Sequence, residues 1–354
     1  MTDKCVIQEI NLRSASAQEY QALNRISNIH RAEILPDDPP FPLEETVRSS
    51  QSVPGFVDNF TWAAWDSAHA EIIATGNVNI AKTEDNQHLA EIGIYVRQPY
   101  RRQGIGTRLL EKIAQVARNE NRRLLITEAI GNLPCGESFL FKIGGEKGLV
   151  GHLNQLRLDE LDHHLVDTWL ERGHLNEDNF FLGLWEGLYP ENQMDAILEL
   201  RELENQAPIE NLDVEEMHLT REQVRQVENQ LFARGFQRWT YYLIEKSTGK
   251  MAGYTETVWN PSRPHILYQD MTGVFPEYRN KGLGRWLKAA MIDKVLHEHP
   301  EVKFIRTENA DSNAAMLKIN HELGFTPYVS NPIWQIPLEK VEAYLAERKG
   351  LHAD

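Results

Sequence analysis

The chain has 354 residues, enough for two domains of ordinary size, with 41% apolar and 25% charged residues. Its net charge of −15 argues against nucleic acid as a partner, which needs a basic face; an acidic surface attracts cationic small molecules or serves solubility alone. Cys5 and Cys135 stand far apart without a His/Cys cluster, so neither a disulfide framework nor a metal site is expected. No apolar run approaches the roughly 20 residues of a membrane span, and residues 1–13 carry charges throughout instead of a secretory signal. A reducing cytoplasm is the expected compartment.

Residues 7–12 read as a strand and 16–32 as a helix. A proline-rich acidic loop follows at 36–42, where X-Pro steps disfavour helix. Strands are expected over 60–65, 71–80 and Leu89–Val96, the last rich in Ile and Val. Ile105, Leu109, Ile113 and Val116 then share one helical face. A short strand at 123–127 and a closing helix from Asp159 complete a first half. Past a junction near 168–178, Phe180–Glu186 reads as a strand, and 192–204 and Arg221–Ala233 as helices. Strands at 239–246 and 251–258 are joined by a Ser-Thr-Gly turn signal at 247–249. A strand at Ile266–Val274 follows, then a helix with Leu283, Leu287, Met291 and Val295 on one face, then a strand at 303–307.

The halves repeat one another. VRQPYRRQGIG at 96–106 matches VFPEYRNKGLG at 274–284, an offset of 178 residues. The glycines Gly144 and Gly324, and the segments QLRLDEL at 155–161 and QIPLEKV at 335–341, keep an offset of 180. Duplication follows, with domains at 1–173 and 174–354.

Each repeated loop lies between a strand and a helix and reads Arg-x-x-Gly-x-Gly. The first helical turn leaves N–H groups unpaired at the positive end of the helix dipole. Gly104 and Gly106, like Gly282 and Gly284, let an anion approach the main chain, with Arg101 and Arg279 adding charge at the mouth. A pyrophosphate suits such a cradle. A dinucleotide fingerprint would need a third glycine, where Leu109 and Leu287 stand.

Val-x-Pro-x-Tyr-Arg-x-x-Gly-x-Gly, as at 274–284, resembles the coenzyme A motif of the GCN5-related N-acetyltransferase (GNAT) superfamily, and the order of elements resembles theirs in both halves. The resemblance implies an α/β chain of mixed α+β sheets: two tandem GNAT-like domains, similar in arrangement to mycothiol synthase. Each would hold a central mixed, mostly antiparallel sheet flanked by helices. It implies acetyl-CoA as cofactor, with the loop amides of Arg101, Arg102, Gln103, Gly104, Ile105 and Gly106 on its pyrophosphate. The equivalents are Arg279, Asn280, Lys281, Gly282, Leu283 and Gly284, and the strand ends Ile94, Val96, Thr272 and Val274 would pair with the pantetheine. Proline falls at 99 in the first copy instead of 98, which implies a changed loop path. The segment TENADSNAAMLKINHELGF at 307–325 resembles the family's cofactor-side helix and implicates Asn309 and Asn313; Asn313 serves equally as an N-cap. The first half lacks this series, so the second half is expected to be the working one.

Acyl transfer to an amine needs a base and a donor for the developing oxyanion. Glu91 lies five residues before Val96, whereas Gln269 holds the matching place before Val274. Asp270 is next along, on the opposite strand face, and Glu256 is a third candidate. The tyrosine acid of many relatives is replaced by Asn320 and Leu140, leaving Tyr268 or Tyr328 as substitutes. The expected activity is acetyl-CoA-dependent N-acetyltransfer, directly, to the amine of a small molecule. The alternatives are a non-catalytic acyl-CoA sensor and a protein-lysine acetyltransferase.

Overall fold

The computed structural model describes residues 5–131 and 133–350. Its first ten elements are β1 (Cys5–Ile10), α1 (Ala17–Ile34), α2 (Leu43–Gln51), β2 (Val57–Asp66), β3 (Ile72–Ala81), β4 (Leu89–Val96), α3 (Ile105–Asn119), β5 (Leu124–Glu128), α4 (Pro134–Lys142) and β6 (Glu146–Leu149). Next come β7 (Gly151–Arg157), α5 (His163–His174), β8 (Phe180–Glu186), α6 (Met194–Arg201), α7 (Arg221–Ala233), β9 (Gln237–Glu245) and β10 (Met251–Trp259). The chain ends in β11 (Ile266–Val274), α8 (Leu283–Glu298), β12 (Phe304–Ala310), α9 (Ala314–Leu323), β13 (Thr326–Ser330), β14 (Ile333–Pro337) and α10 (Leu338–Gly350).

Two seven-stranded mixed sheets result, ordered β1-β2-β3-β4-β5-β14-β6 and β8-β9-β10-β11-β12-β7-β13. The orders are equivalent strand for strand, as duplication requires. Within each, only the β4·β5 and β11·β12 pairs are parallel. This is the expected fold class.

The two compact units do not follow a single cut at residue 173. One unit runs up to Val150 and takes Ile209–Glu216 and the residues from Asn331 on; the other comprises Gly151–Pro208 and Met217–Ser330. The reason is an exchange of strands. β14 inserts antiparallel beside β5, with Gln335 opposite Ile126, while β7 inserts beside β12, with Gln155 opposite Arg306. Both strands begin the repeated segment, so each offers the same side-chain pattern to the same slot. Residues 209–216 strap the first sheet: Gln335 donates to Asn211 O at 2.8 Å and accepts from Asp213 N at 2.9 Å.

Local chemistry sets the element ends. Ser16 and Glu19 form a capping box that starts α1, and Thr220 and Gln223 do the same for α7. α3 carries Leu109, Leu110 and Ile113 fully buried against Ile73, Val78 and Leu125 of the first sheet. Burial of each such side chain contributes about 1.5–3 kcal/mol. The expected periodicity marks that face, whereas α2, α4, β6, β7, β13, β14 and α10 have no counterpart in the elements read from the sequence.

Candidate functional site

In both units the parallel strands part in mid-strand, several residues ahead of the repeated loop. β4 pairs with β5 only through Leu89–Glu91, and β11 with β12 only through Ile266–Tyr268. Beyond these points the strand ends leave main-chain groups unpaired on one side, and the loop closes the gap. The loops share their backbone: Arg102 and Gly104 have φ of 63° and 82°, Asn280 and Gly282 of 62° and 79°. A left-handed non-glycine residue is strained by roughly 1 kcal/mol, and its recurrence at one place in both copies marks a shaped loop. A Cβ added at Gly104 or Gly282 would meet nothing within 4 Å, so both cradles are open toward an approaching ligand. Ile105 and Leu283 anchor the helix starts in the core.

The arginines act differently from the expectation of charge at the mouth. Arg101 Nε donates back to Val96 O at 2.8 Å, and its Nη2 pairs with Glu33. Arg279 Nε donates to Val274 O at 3.0 Å and its Nη2 to Gln206 at 2.5 Å. Each guanidinium therefore ties the loop to the end of the preceding strand. Lys281 lies over the rings of Phe180 and Tyr278, at 5.7 and 5.3 Å.

A cavity of about 740 Å³ lies wholly within the first unit. Ile94, Val96, Arg101, Arg102, Gly104, Ile105 and Gly106 line it, opposite Thr127–Ala129 and α4. Glu91 does not line it; its carboxylate is exposed, 3.5 Å from Asn79 Nδ2.

The second unit holds the carboxylates. β10 and β11 run in register to Thr255↔Thr272 and resume at Thr257↔Gln269. Asp270 and Met271 thus both lie opposite Glu256, a β-bulge that the first unit lacks, where β3 and β4 pair without a shift. Bulges re-aim side chains beside functional sites. Glu256 itself is buried and held by Tyr189 Oη, by Thr240 Oγ1 at 2.6 Å and by Arg238 at 3.7 Å. Nearby, Glu204 pairs with Arg201 at 3.0 Å and accepts from Tyr254 Oη at 3.0 Å. The Asp270 side chain has no hydrogen-bond partner among the described residues and is exposed at its tip, although protein atoms crowd around it. Crowding by protein, then repulsion from Glu256 and Glu204, opposed by Arg201 and Arg238, pushes its pKa up to about 6. The three carboxylates therefore differ in their surroundings: Glu256 is buried and held by Tyr189 and Thr240, whereas Glu91 and Asp270 are exposed, and only Asp270 is crowded by further carboxylates.

Beside Glu256, Arg238 and Glu228 form a buried ion pair, with Arg238 3.6 Å above the ring of Tyr189 and Glu228 accepting from Tyr189 N at 2.8 Å. Removing one partner leaves a buried charge, so Glu228→Ala is expected to lower unfolding free energy by about 3 kcal/mol in a denaturant titration. Tyr189, Arg201, Glu204 and Tyr254 escaped the sequence reading. The only available signal was charge and tyrosine in an otherwise amphipathic 186–206 segment.

Gln269, at the place matching Glu91, faces the opposite side of the sheet. Its Oε1 accepts from Lys288 Nζ at 3.0 Å. Lys288 is 1% exposed, and burial lowers its pKa to about 7. A lysine whose folded pKa is depressed destabilises the fold most below that pKa, and the penalty fades as pH rises toward the unfolded value. Lys288→Met is therefore expected to raise unfolding free energy by about 3 kcal/mol at pH 6. The gain should vanish toward pH 10, as followed by denaturant titrations at both pH values.

The asparagine series is engaged within the protein. Asn313 Oδ1 caps α9 through Met316 N at 3.3 Å, and Asn309 Oδ1 accepts from Asn320 at 2.8 Å and Asn154 at 3.3 Å. Asn320, at the place of the expected tyrosine, is fully buried. Tyr328 is stacked under Arg306 at 4.7 Å.

The model of the Acetyltransferase (GNAT) family matches residues 25–135 and 197–325, which takes in both loops. The chain belongs to the GNAT acetyltransferase family. Among solved structures, a tandem GNAT protein from the clavulanic acid biosynthesis pathway, without AcCoA, superposes with a TM-score of 0.74 at 21% identity. That match covers 94% of this chain and 99% of the other. A GCN5-related N-acetyltransferase from Sphaerobacter thermophilus gives 0.66 at 12% identity, over 96% and 97%. No curated protein matches the chain. The chain is thus a tandem GNAT protein, and acyl-CoA-dependent acetyl transfer is its family's chemistry. No helix among the described residues is long and apolar enough to cross a membrane.

Proposed function

We propose that the chain is an acetyl-CoA-dependent N-acetyltransferase acting on a small amine, with its working site in the second unit. The observation that carries this reading is Asp270, raised on a bulge with a pKa of about 6 beside Glu256 and Glu204. Around neutral pH its carboxylate is mostly ionised and can take a proton from an ammonium, while the surrounding negative charge favours a cationic acceptor. Tyr189 and Thr240 hold the Glu256 carboxylate in place opposite the bulge.

The cofactor fits the residues present. Open left-handed glycines and unpaired first-turn amides at 279–284 and 101–106 suit a pyrophosphate, and the ends of β4 and β11, with Ile94, Val96, Thr272 and Val274, suit an extended arm. When bound, acetyl-CoA supplies an acetyl group activated as a thioester. Asn309 and Asn313 support the second site by knitting β12 to α9 and capping α9. The cavity of the first unit has the same loop in its lining, with Glu128 and not Glu91 as its carboxylate, and suits cofactor binding.

Release of free thiol from acetyl-CoA, measured across small amines and lysine peptides, tests the reading. Turnover with a small amine supports it. Turnover with peptides alone replaces it by a protein acetyltransferase, and tight acetyl-CoA binding without turnover by a sensor.

A further inference from the structure

α8 carries Lys288 at a position where the first copy, 178 residues earlier, has Leu110, and both are buried. Leu287, Ala289, Met291 and Ile292 of the same helix are buried as well, and the Phe325 ring lies 5.5 Å from Nζ. No carboxylate pairs with it among the described residues, and Gln269 Oε1 is its one acceptor there. A buried amine with one acceptor is costly where a leucine would serve, so what it touches deserves explanation by its position.

What it touches leads straight to the bulge. Gln269 Nε2 donates to Thr255 Oγ1 at 2.7 Å and to Thr272 Oγ1 at 3.3 Å, and the two hydroxyls lie 2.7 Å apart. In a regular strand, residues three apart such as Gln269 and Thr272 point to opposite faces. Here they meet on the α8 face because Asp270 and Met271 form the bulge between them. The cluster therefore exists only while the bulge does, and all four members are buried. Lys288, by donating to Oε1, orients the amide so that Nε2 faces both threonines.

We propose that Lys288 is a positioning residue that pins the β11 bulge through Gln269, Thr255 and Thr272 and thereby orients Asp270 toward the acceptor. This rests on the reading of Asp270 as base. It also explains why only the second copy holds a lysine here: the first copy has a regular β4, with Glu91 in place of Gln269, and no bulge to pin.

The test compares Lys288→Met and Gln269→Leu with the parent in the full chain. The readouts are hydrogen exchange of the 269–272 amides, affinity for acetyl-CoA, and thiol release with the amine found in the panel. Both variants are expected to fold, to exchange faster at 269–272, and to keep acetyl-CoA affinity within about twofold. Their kcat should fall between about 10- and 100-fold as the carboxylate loses its aim. The acid limb of their kcat/KM profile should move away from pH 6, which a general loss of stability would not cause. Gln269→Glu, which still accepts from Lys288 and can accept from both threonine hydroxyls, should retain slow exchange. Unchanged exchange in Lys288→Met and Gln269→Leu overturns the pin, whatever the activity. Fast exchange in a chain whose Asp270→Asn variant is fully active would leave the pin standing and sink the reading of Asp270.

Discussion

Asp270→Asn is expected to lower kcat/KM by about 10²- to 10⁴-fold at pH 7.5, the range for removing a general base. The parent should lose activity tenfold per pH unit below about 6, because protonation there removes the acceptor for the substrate's proton. The variant should show no such limb. The amide is close in size and Asp270 reaches solvent, so folding is preserved and the loss reads on chemistry. A variant with more than half the parent activity would move the base elsewhere, with Glu256 next in place. Glu256 is the weaker choice, because three donors already hold its carboxylate.

The second large effect concerns the cradles. Gly282→Glu puts a side chain at a backbone φ of 79° and a negative charge where an anion would rest. Strain of about 1 kcal/mol is tolerable in a domain of this size, whereas charge repulsion at a helix start opposes the dipole's attraction. Acetyl-CoA affinity of the second site should fall at least about 100-fold by calorimetry, with turnover falling alongside. Gly104→Glu, at a φ of 82° in the first unit, should abolish binding there and spare turnover. Survival of activity in Gly282→Glu with loss in Gly104→Glu would assign catalysis to the first unit instead.

Much of this was legible in the chain. Period-2 and period-3.6 patterns placed β4, β8, β11 and α7 at their observed bounds, because each has one clearly apolar face. Self-comparison gave the duplicated cradle, and strict alternation put Gln269 and Asp270 on opposite faces. The bulge was hidden: it depends on how β10 and β11 align, which a single strand's pattern does not state. Lys288 was hidden too, since a lysine in a helix reads as surface and only its tertiary surroundings bury it. Arg101 and Arg279 reach back to the carbonyls of Val96 and Val274, a contact made across the turn of the loop that the residue spacing alone does not state.

The exchanged strands carry a consequence for how the protein is made. The slot between β5 and β6 is filled by β14, which emerges from the ribosome about 190 residues after β6. At roughly 5–20 residues per second the first sheet must wait on the order of 10–40 s for its missing member. During that interval the edges of β5 and β6 are bare and able to capture another nascent chain's strand. The second sheet has no such delay, since β7 is already waiting when β12 arrives. Slow translation between residues 150 and 331 should therefore promote intermolecular strand capture, and a chain cut at 173 should recover a complete first sheet only when the other fragment is present.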